Sequence, residues 1–244
     1  MIAMSLLSRA LSFFTVVILR SIFLYGYSEL RKGTILLSLM HLTIVLTYGL
    51  KYGPSLLAYT APISILYLVL GMYGLLIYSL AVSSIPGLWM SLTQLIMDVL
   101  KGMLNPLNYI SIYVKSTLTS LAILYVLHTL NPSELSTLLY RARKSLGMYP
   151  QLFMRINSFL IKEGIEAIYT HSLKGESVWK TLAILMLRGD ELTRGFSEGL
   201  MPKYMRFKPS LIYSARTIWI QLLILGYDII LVLLITTSWI PQYL

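Results

Sequence analysis

The sequence predicts an all-α membrane protein, a polytopic bundle of five or six helical spans with an inserted aqueous region of three helices. Three observations predict it. Only 12% of the 244 residues are charged and 57% are hydrophobic, whereas a soluble domain carries about a quarter charged residues. Too little polar surface is left to cover a globule of this size in water. The apolar residues fall in long runs, at 10–27, 34–50, 55–82, 87–104, 107–130 and 211–237. Each is near the roughly 20 residues that carry a helix across a bilayer core, and none is the short alternating segment of a membrane β-barrel. Residues 131–210 break this pattern and hold most of the Lys and Arg.

Taken in order, Met1 to Arg9 lacks the pattern of a cleavable signal, because the apolar stretch runs on to Phe23 without a small-residue cleavage site; it reads as a retained helix. The run 55–82 is long enough to tilt, or to bend at Pro62. The run 87–104 carries Gln94, Asp98 and Lys101 and fits either a span or an interfacial helix, which leaves the count at five or six. The chain therefore divides into membrane helices at 1–130 (four or five spans), a coupling region at 131–210, and a last span with its tail at 211–244. Lys and Arg concentrate on the cytoplasmic side of membrane proteins, so 131–210 is expected in the cytoplasm and the uncharged tail Ser238 to Leu244 outside. Arg31 and Lys32 ask for the inner side, which favours six spans.

The formal net charge of +10 speaks to orientation and to anionic lipid. No aromatic-interleaved basic stripe points to nucleic acid. With no cysteine in the chain, disulfides, thiol catalysis and Cys-ligated metal are excluded.

Within 131–210 the first helix has a clear start. Asn131 suits the N-cap, Pro132 the first helical position, and Glu134 the acid of a capping box. Leu135, Leu138, Leu139, Ala142 and Leu146 form an apolar stripe; Arg141, Arg143 and Lys144 complement the helix dipole in a last turn closed by Gly147. Pro150 opens a second helix with Phe153, Ile156, Leu160, Gly164 and Ile168 on one face, ending at Lys174-Gly175. A third is expected from about Glu176 to Glu198, with Trp179, Leu182, Ala183 and Met186 as its stripe and an Asp190–Arg194 pair four residues apart. These stripes need each other, a membrane surface or a partner protein to cover them.

Chemistry is sparse. No Gly-x-x-x-x-Gly-Lys-Ser/Thr loop is present, so ATP hydrolysis belongs elsewhere. His41, His128 and His171 lack the spacing of a metal site, and His41 and His128 read as hydrogen-bonded packing histidines in the spans. Asp98 and Asp228 are the carboxylates in apolar runs; Arg20, Lys115 and Arg216 also lie in the runs as available partners, and structural ion pairs or interfacial positions are the favoured reading over a proton relay. Two isolated aspartates do not make the acidic cluster that holds Mg²⁺ and pyrophosphate in membrane transferases. No catalytic residue, cofactor site or metal site is assigned.

The pattern over 131–199 resembles the transmembrane T component of energy-coupling factor importers, the family of ABC importers that includes cobalt-type permease subunits. That family's coupling region opens with a Pro-x-Glu-Leu element and a Leu-Gly-x-Pro turn. An Arg begins the next helix and Ala-Arg-Gly ends it; a further helix carries Arg-x-x-Glu-Leu and a second Ala-Arg-Gly. Here Pro132-Ser133-Glu134-Leu135 matches the opening, and Leu146-Gly147-Met148-Tyr149-Pro150 the turn with one extra residue. Arg155 stands at the helix-starting Arg, Leu173-Lys174-Gly175 at the first Ala-Arg-Gly, and Arg188, Glu191 and Leu192 at the second element. Ser197-Glu198-Gly199 is nearest to the second Ala-Arg-Gly, shifted by one residue and with Glu in place of Arg; Arg194 or Lys203 would then supply the charge.

The resemblance implies a multi-pass subunit of the cell membrane that is not itself an enzyme. It implies as partners two cytosolic ABC-type ATPase subunits and a small membrane S subunit that captures a vitamin or metal ion. ATPase coupling would fall to Arg155, Leu173, Lys174, Gly175, Arg188, Glu191, Arg194, Ser197, Glu198 and Gly199, while Pro132, Glu134, Leu135, Gly147 and Pro150 would shape the region. Two other classes fit the composition: a different transporter or channel whose basic helices lie on anionic lipid, and a membrane-embedded lipid-modifying enzyme.

Overall fold

The computed structural model describes residues 13–14, 16–18, 21, 28–51, 55–102, 105–174, 180, 183–184, 186–191, 194–195, 198 and 208–239. Among them no strand occurs and helices dominate. Ile35–Ile44 is α1, continued by a wider π-type turn over Val45–Gly49; α2 is Ser55–Val69, α3 Tyr73–Lys101 and α4 Pro106–Thr129. Pro132–Ala142 is α5, Tyr149–Leu173 α6 and Ala215–Trp239 α7. Short 3-10 turns lie at Ser28–Lys32 and Lys144–Leu146. Among the described residues three helices are long and apolar enough to cross a membrane: α3, α4 and Ala215–Thr237 of α7. Ile35–Gly49 and Leu56–Val69 are apolar but shorter.

The chain forms two compact units, Tyr27–Leu130 with Tyr213–Leu244, and Met1–Gly26 with Asn131–Ile212. The first contains all three long apolar helices and is called the membrane unit below. The second unit groups the first 26 residues with the basic segment, a division that the run of hydropathy does not indicate.

In the membrane unit the boundaries within 55–104 differ from those expected. The break falls at Leu70–Met72, where Gly71 takes φ 70, a left-handed conformation that costs glycine little. Beyond it the second half of the 55–82 run and most of the 87–104 run form one helix of 29 residues, α3. Its length of about 43 Å exceeds a 30 Å hydrocarbon core, so the polar stretch with Gln94, Asp98 and Lys101 is the end of this helix and no separate element. Gln94 Nε2 donates to Asp98 Oδ1 at 2.8 Å, which gives that carboxylate a partner one turn away.

Pro86 sits inside α3 and Pro62 inside α2 without ending either; packing neighbours hold an apolar helix together where a proline removes one backbone bond. The neighbour of α3 is α4, and theirs is the most extensive helix pair in the molecule. Ser79, Ser83 and Gly87, four residues apart, are the buried small residues of α3, and such small side chains let two backbones approach closely. Asn105 caps α4 through its side chain, accepting from Asn108 N–H at 3.4 Å, with Pro106 in the first turn.

In the other unit α5 begins as the sequence predicts. Asn131 Oδ1 accepts from Ser133 N–H at 3.0 Å and from the Ser133 hydroxyl at 2.7 Å, and Pro132 opens the helix. Asn131 Nδ2 donates to Ile212 O at 3.0 Å, and Ile212 N–H donates to Ser133 Oγ at 3.0 Å. One cap thus also ties down the far end of the segment. The helix stops at Ala142, five residues before the expected glycine, because Arg143 is extended (φ −155, ψ 119). Gly147 is helical in conformation (φ −61) and serves close approach instead. A Cβ there would lie 2.6 Å from Tyr140 Cβ and 3.1 Å from Ser136 O. The chain doubles back over the Ser133, Ser136 and Tyr140 face, and this changes which side of α5 is covered. Ser133 and Ser136 are buried, Leu135 and Leu139 half-buried, and Leu138, Ala142 and Leu146 exposed. The apolar stripe expected to be covered is largely open.

Candidate functional site

Two groups of residues qualify as functional, one in each unit. In the unit containing 131–212, Pro132 and Glu134 lie in the first turn of α5 with Leu135 half-buried behind them; Pro150 is buried in the first turn of α6. Arg155 lies in the second turn of α6. That helix runs 25 residues to Leu173, and Lys174 follows as an exposed turn residue, its N–H donating to Thr170 O at 3.3 Å. A cation held just past the last turn of a long helix sits favourably against the helix dipole and projects a charge from a rigid rod. Gly175 lies outside the described residues, as do Trp179, Leu182, Ser197, Gly199 and Lys203.

Along the expected third helix, Arg188, Glu191, Arg194 and Glu198 are helical and exposed. Arg188 Nη1 pairs with Glu163 Oε2 of α6, a contact the sequence did not anticipate because the partners are 25 positions apart. It brings Arg188 against the middle of α6, not to its Lys174 end. Asp190 and Arg194 pair at 2.9 Å as their spacing predicts. Both pairs are exposed, so they orient more than they stabilise. Leu138, Tyr149, Phe153, Met186 and Leu187 are exposed apolar residues of this unit. Tyr149 and Phe153 stand in the first two turns of α6, about 30 Å or more along the helix from Lys174.

The membrane unit holds the second group. His41 Nδ1 and Asp228 Oδ2 meet at 2.5 Å, with side chains 2% and 0% exposed. Tyr125 sets its ring edge-on to His41 at 5.4 Å and 78°. Beside them Tyr67 hydroxyl and His128 Nδ1 share a 2.7 Å hydrogen bond. Toward the start of α1, Thr34 N–H donates to Gln221 Oε1 at 2.9 Å; Gln221 Nε2 reaches Thr34 O (3.3 Å) and Ser38 Oγ (2.9 Å); and Ser38 Oγ meets Thr129 Oγ1 at 2.7 Å. Gly33 makes room for this amide, since a Cβ there would lie 2.5 Å from it. Outside the spans, burial lowers the Arg31 guanidinium from its ordinary pKa, though a guanidinium stays charged regardless.

This grouping revises the expected pairing of Asp228. Among the described residues its partner is His41: Arg216 is exposed and Lys115 only half-buried; Arg20 lies outside the described residues. Spacing gave no sign of it, because His41 and Asp228 are 187 positions apart. The available signal is helical periodicity: Thr34, Ser38 and His41 fall on one face of α1, and Thr217, Gln221 and Asp228 on one face of α7. Among the described residues no group of three metal-ligating side chains converges. Compared with protein-family models, curated proteins and solved structures, the chain finds no match.

Proposed function

We propose that this chain is the T component of an energy-coupling factor importer. In this reading it is a multi-pass subunit of the plasma membrane. It carries the closing motion of two cytosolic ABC-type ATPases to a small S subunit that captures a vitamin or metal ion. The observation that supports it best is the end of α6: an exposed lysine closing a 25-residue helix at the position that the sequence pattern assigns to ATPase contact. A long helix resists bending, so force applied at Lys174 would move the helix as a whole. The exposed Leu138, Tyr149 and Phe153 would supply apolar contact area while the charge steers encounter with an acidic groove. The exposed Glu163–Arg188 pair would orient the third helical segment against the middle of α6. Ser197-Glu198-Gly199, with its acid, suits a second ATPase contact of altered charge.

Coexpression with ABC-type ATPases, sought first among the genes adjoining this one, tests the reading. Wild-type chain and Lys174→Arg should copurify with ATPase, and Lys174→Glu should retain at least tenfold less. Undiminished ATPase binding by Lys174→Glu overturns the role given to Lys174. If no neighbouring ATPase binds but the protein's 131–212 region is protected by anionic vesicles, the basic helices are lipid-facing and the rival transporter reading takes its place.

A further inference from the structure

We propose that His41 and Asp228 form a proton-binding site in the membrane unit, reached from the helix end that carries Thr34. The proposal does not depend on the coupling role above. It begins with the pair's surroundings. Both side chains are buried, and among the described residues neither Asp228 Oδ1 nor His41 Nε2 has a hydrogen-bond partner beyond their shared contact. A carboxylate and an imidazolium at such a place would each keep half of their hydrogen-bonding capacity unmet, which is costly in a medium of low dielectric. Ionisable groups at membrane depth persist where they do something.

A single shared proton keeps the pair neutral in either of two forms. It sits on Asp228 Oδ2 and is donated to His41 Nδ1, or on Nδ1 and is donated to Oδ2. The net charge is zero both ways, and transfer breaks one covalent bond to hydrogen as it makes the other. Taking up a second proton leaves +1; releasing the first leaves −1. The site therefore stores one proton in a neutral unit and changes charge only when it exchanges with water.

The packed helices govern that exchange. From α4 the titratable neighbours are Tyr125, edge-on to His41, and His128; from α2 it is Tyr67, bonded to His128; the 3-10 turn before α1 contributes Arg31 and Lys32 near the helix end. Among the described residues Asp228 forms an ion pair with His41 alone, so no fixed cation holds the carboxylate ionised and the proton remains exchangeable.

A polar line leads to the pair. Ser214 N–H donates to Lys32 O at 2.9 Å at the helix end. Gln221, Thr34, Ser38 and Thr129 then run inward through hydrogen bonds of 2.7–3.3 Å. His41 follows Ser38 by one turn, at a depth of about 10 Å from Thr34, roughly a third of a bilayer's 30 Å core.

The experiment is infrared difference spectroscopy of the whole protein in lipid nanodiscs between about pH 4 and 10, the range that spans ordinary carboxyl and imidazole titration. Wild type should show one buried carboxylic-acid carbonyl band that disappears as pH rises, and Asp228→Asn should lack it. His41→Gln should move its midpoint by about one pH unit or more. ¹⁵N spectra of the unmodified protein provide an arm that needs no folded variant: the His41 ring signal should titrate together with that band. A band that persists in folded Asp228→Asn, a His41 signal that does not change over the whole range, or a wild type without a titrating carboxyl overturns the proposal.

Discussion

Gly87 is the position where one added methyl group should matter most in the membrane unit. It lies on the buried face of α3 two turns beyond Ser79 and one beyond Ser83. A Cβ at Gly87 would lie 2.3 Å from Thr117 Oγ1, 2.9 Å from Tyr113 O and 3.1 Å from Tyr113 Cδ2. The threonine hydroxyl can rotate away, but the carbonyl is backbone and cannot. Relieving 2.9 Å to the 3.4 Å of ordinary contact means parting α3 and α4 by roughly 0.5 Å, and overpacking of this kind costs about 1–3 kcal/mol. Gly87→Ala should therefore lower stability by that amount, and Gly87→Val by more. Ser83→Ala supplies the opposite sign in the same stripe. Its hydroxyl is buried without a partner, so its removal should be neutral or stabilising. Equilibrium unfolding in mixed micelles would measure all three. Should Gly87→Ala prove as stable as wild type while Ser83→Ala destabilises, the close α3–α4 approach is not what holds this pair together.

Four further outcomes follow from single contacts. Asn131→Ala removes an N-cap and a tie to Ile212, and should cost about 1–2 kcal/mol; limited proteolysis of the 131–212 segment should accelerate. Gly147→Ala should destabilise by about 1–3 kcal/mol, because its clash is with Tyr140 Cβ and a backbone oxygen and no rotamer relieves it; thermal unfolding checks this. Tyr67→Phe deletes the 2.7 Å bond to His128 and should cost about 1 kcal/mol in micelle unfolding. Exchanging the charges of the exposed Glu163–Arg188 pair, as Glu163→Arg with Arg188→Glu, should leave stability within about 0.5 kcal/mol; a larger change would give that contact a structural weight its exposure does not support.

What could be read in advance depended on how local its cause is. The α5 cap follows from Asn131 and Pro132 at adjacent positions, and both take the places their chemistry predicts. The end of α6 at Leu173 and the Asp190–Arg194 pair are equally local. The break at Gly71 was obscured because hydropathy is uniform across it; only the left-handed backbone of one glycine marks it. Gly147 misled for the opposite reason. A glycine after a basic turn is the usual mark of a helix end, whereas here it permits contact with Tyr140, which depends on the path of the chain after it. The leucine stripe of α5 followed helical spacing, but spacing does not tell which face the returning chain covers.

The choice of histidine as partner for Asp228 has the same kind of explanation, and it bears on function. Arg216 lies in the first turn of α7, three turns from Asp228, and is exposed. A long basic side chain near a helix end can reach the aqueous boundary, so it gains little from turning inward to a carboxylate. At the depth of Asp228 a lysine or arginine would hold a permanent positive charge and fix the carboxylate as its counter-ion. Histidine differs because both its forms are accessible near neutral pH. It can accept a proton from the acid or donate one to it, keeping the pair neutral without demanding ionisation. The cost of placing a carboxylate in the bundle is then small only while one proton is shared. That condition ties the packing of α1 against α7 to proton occupancy in a way that an aspartate–arginine pair would not.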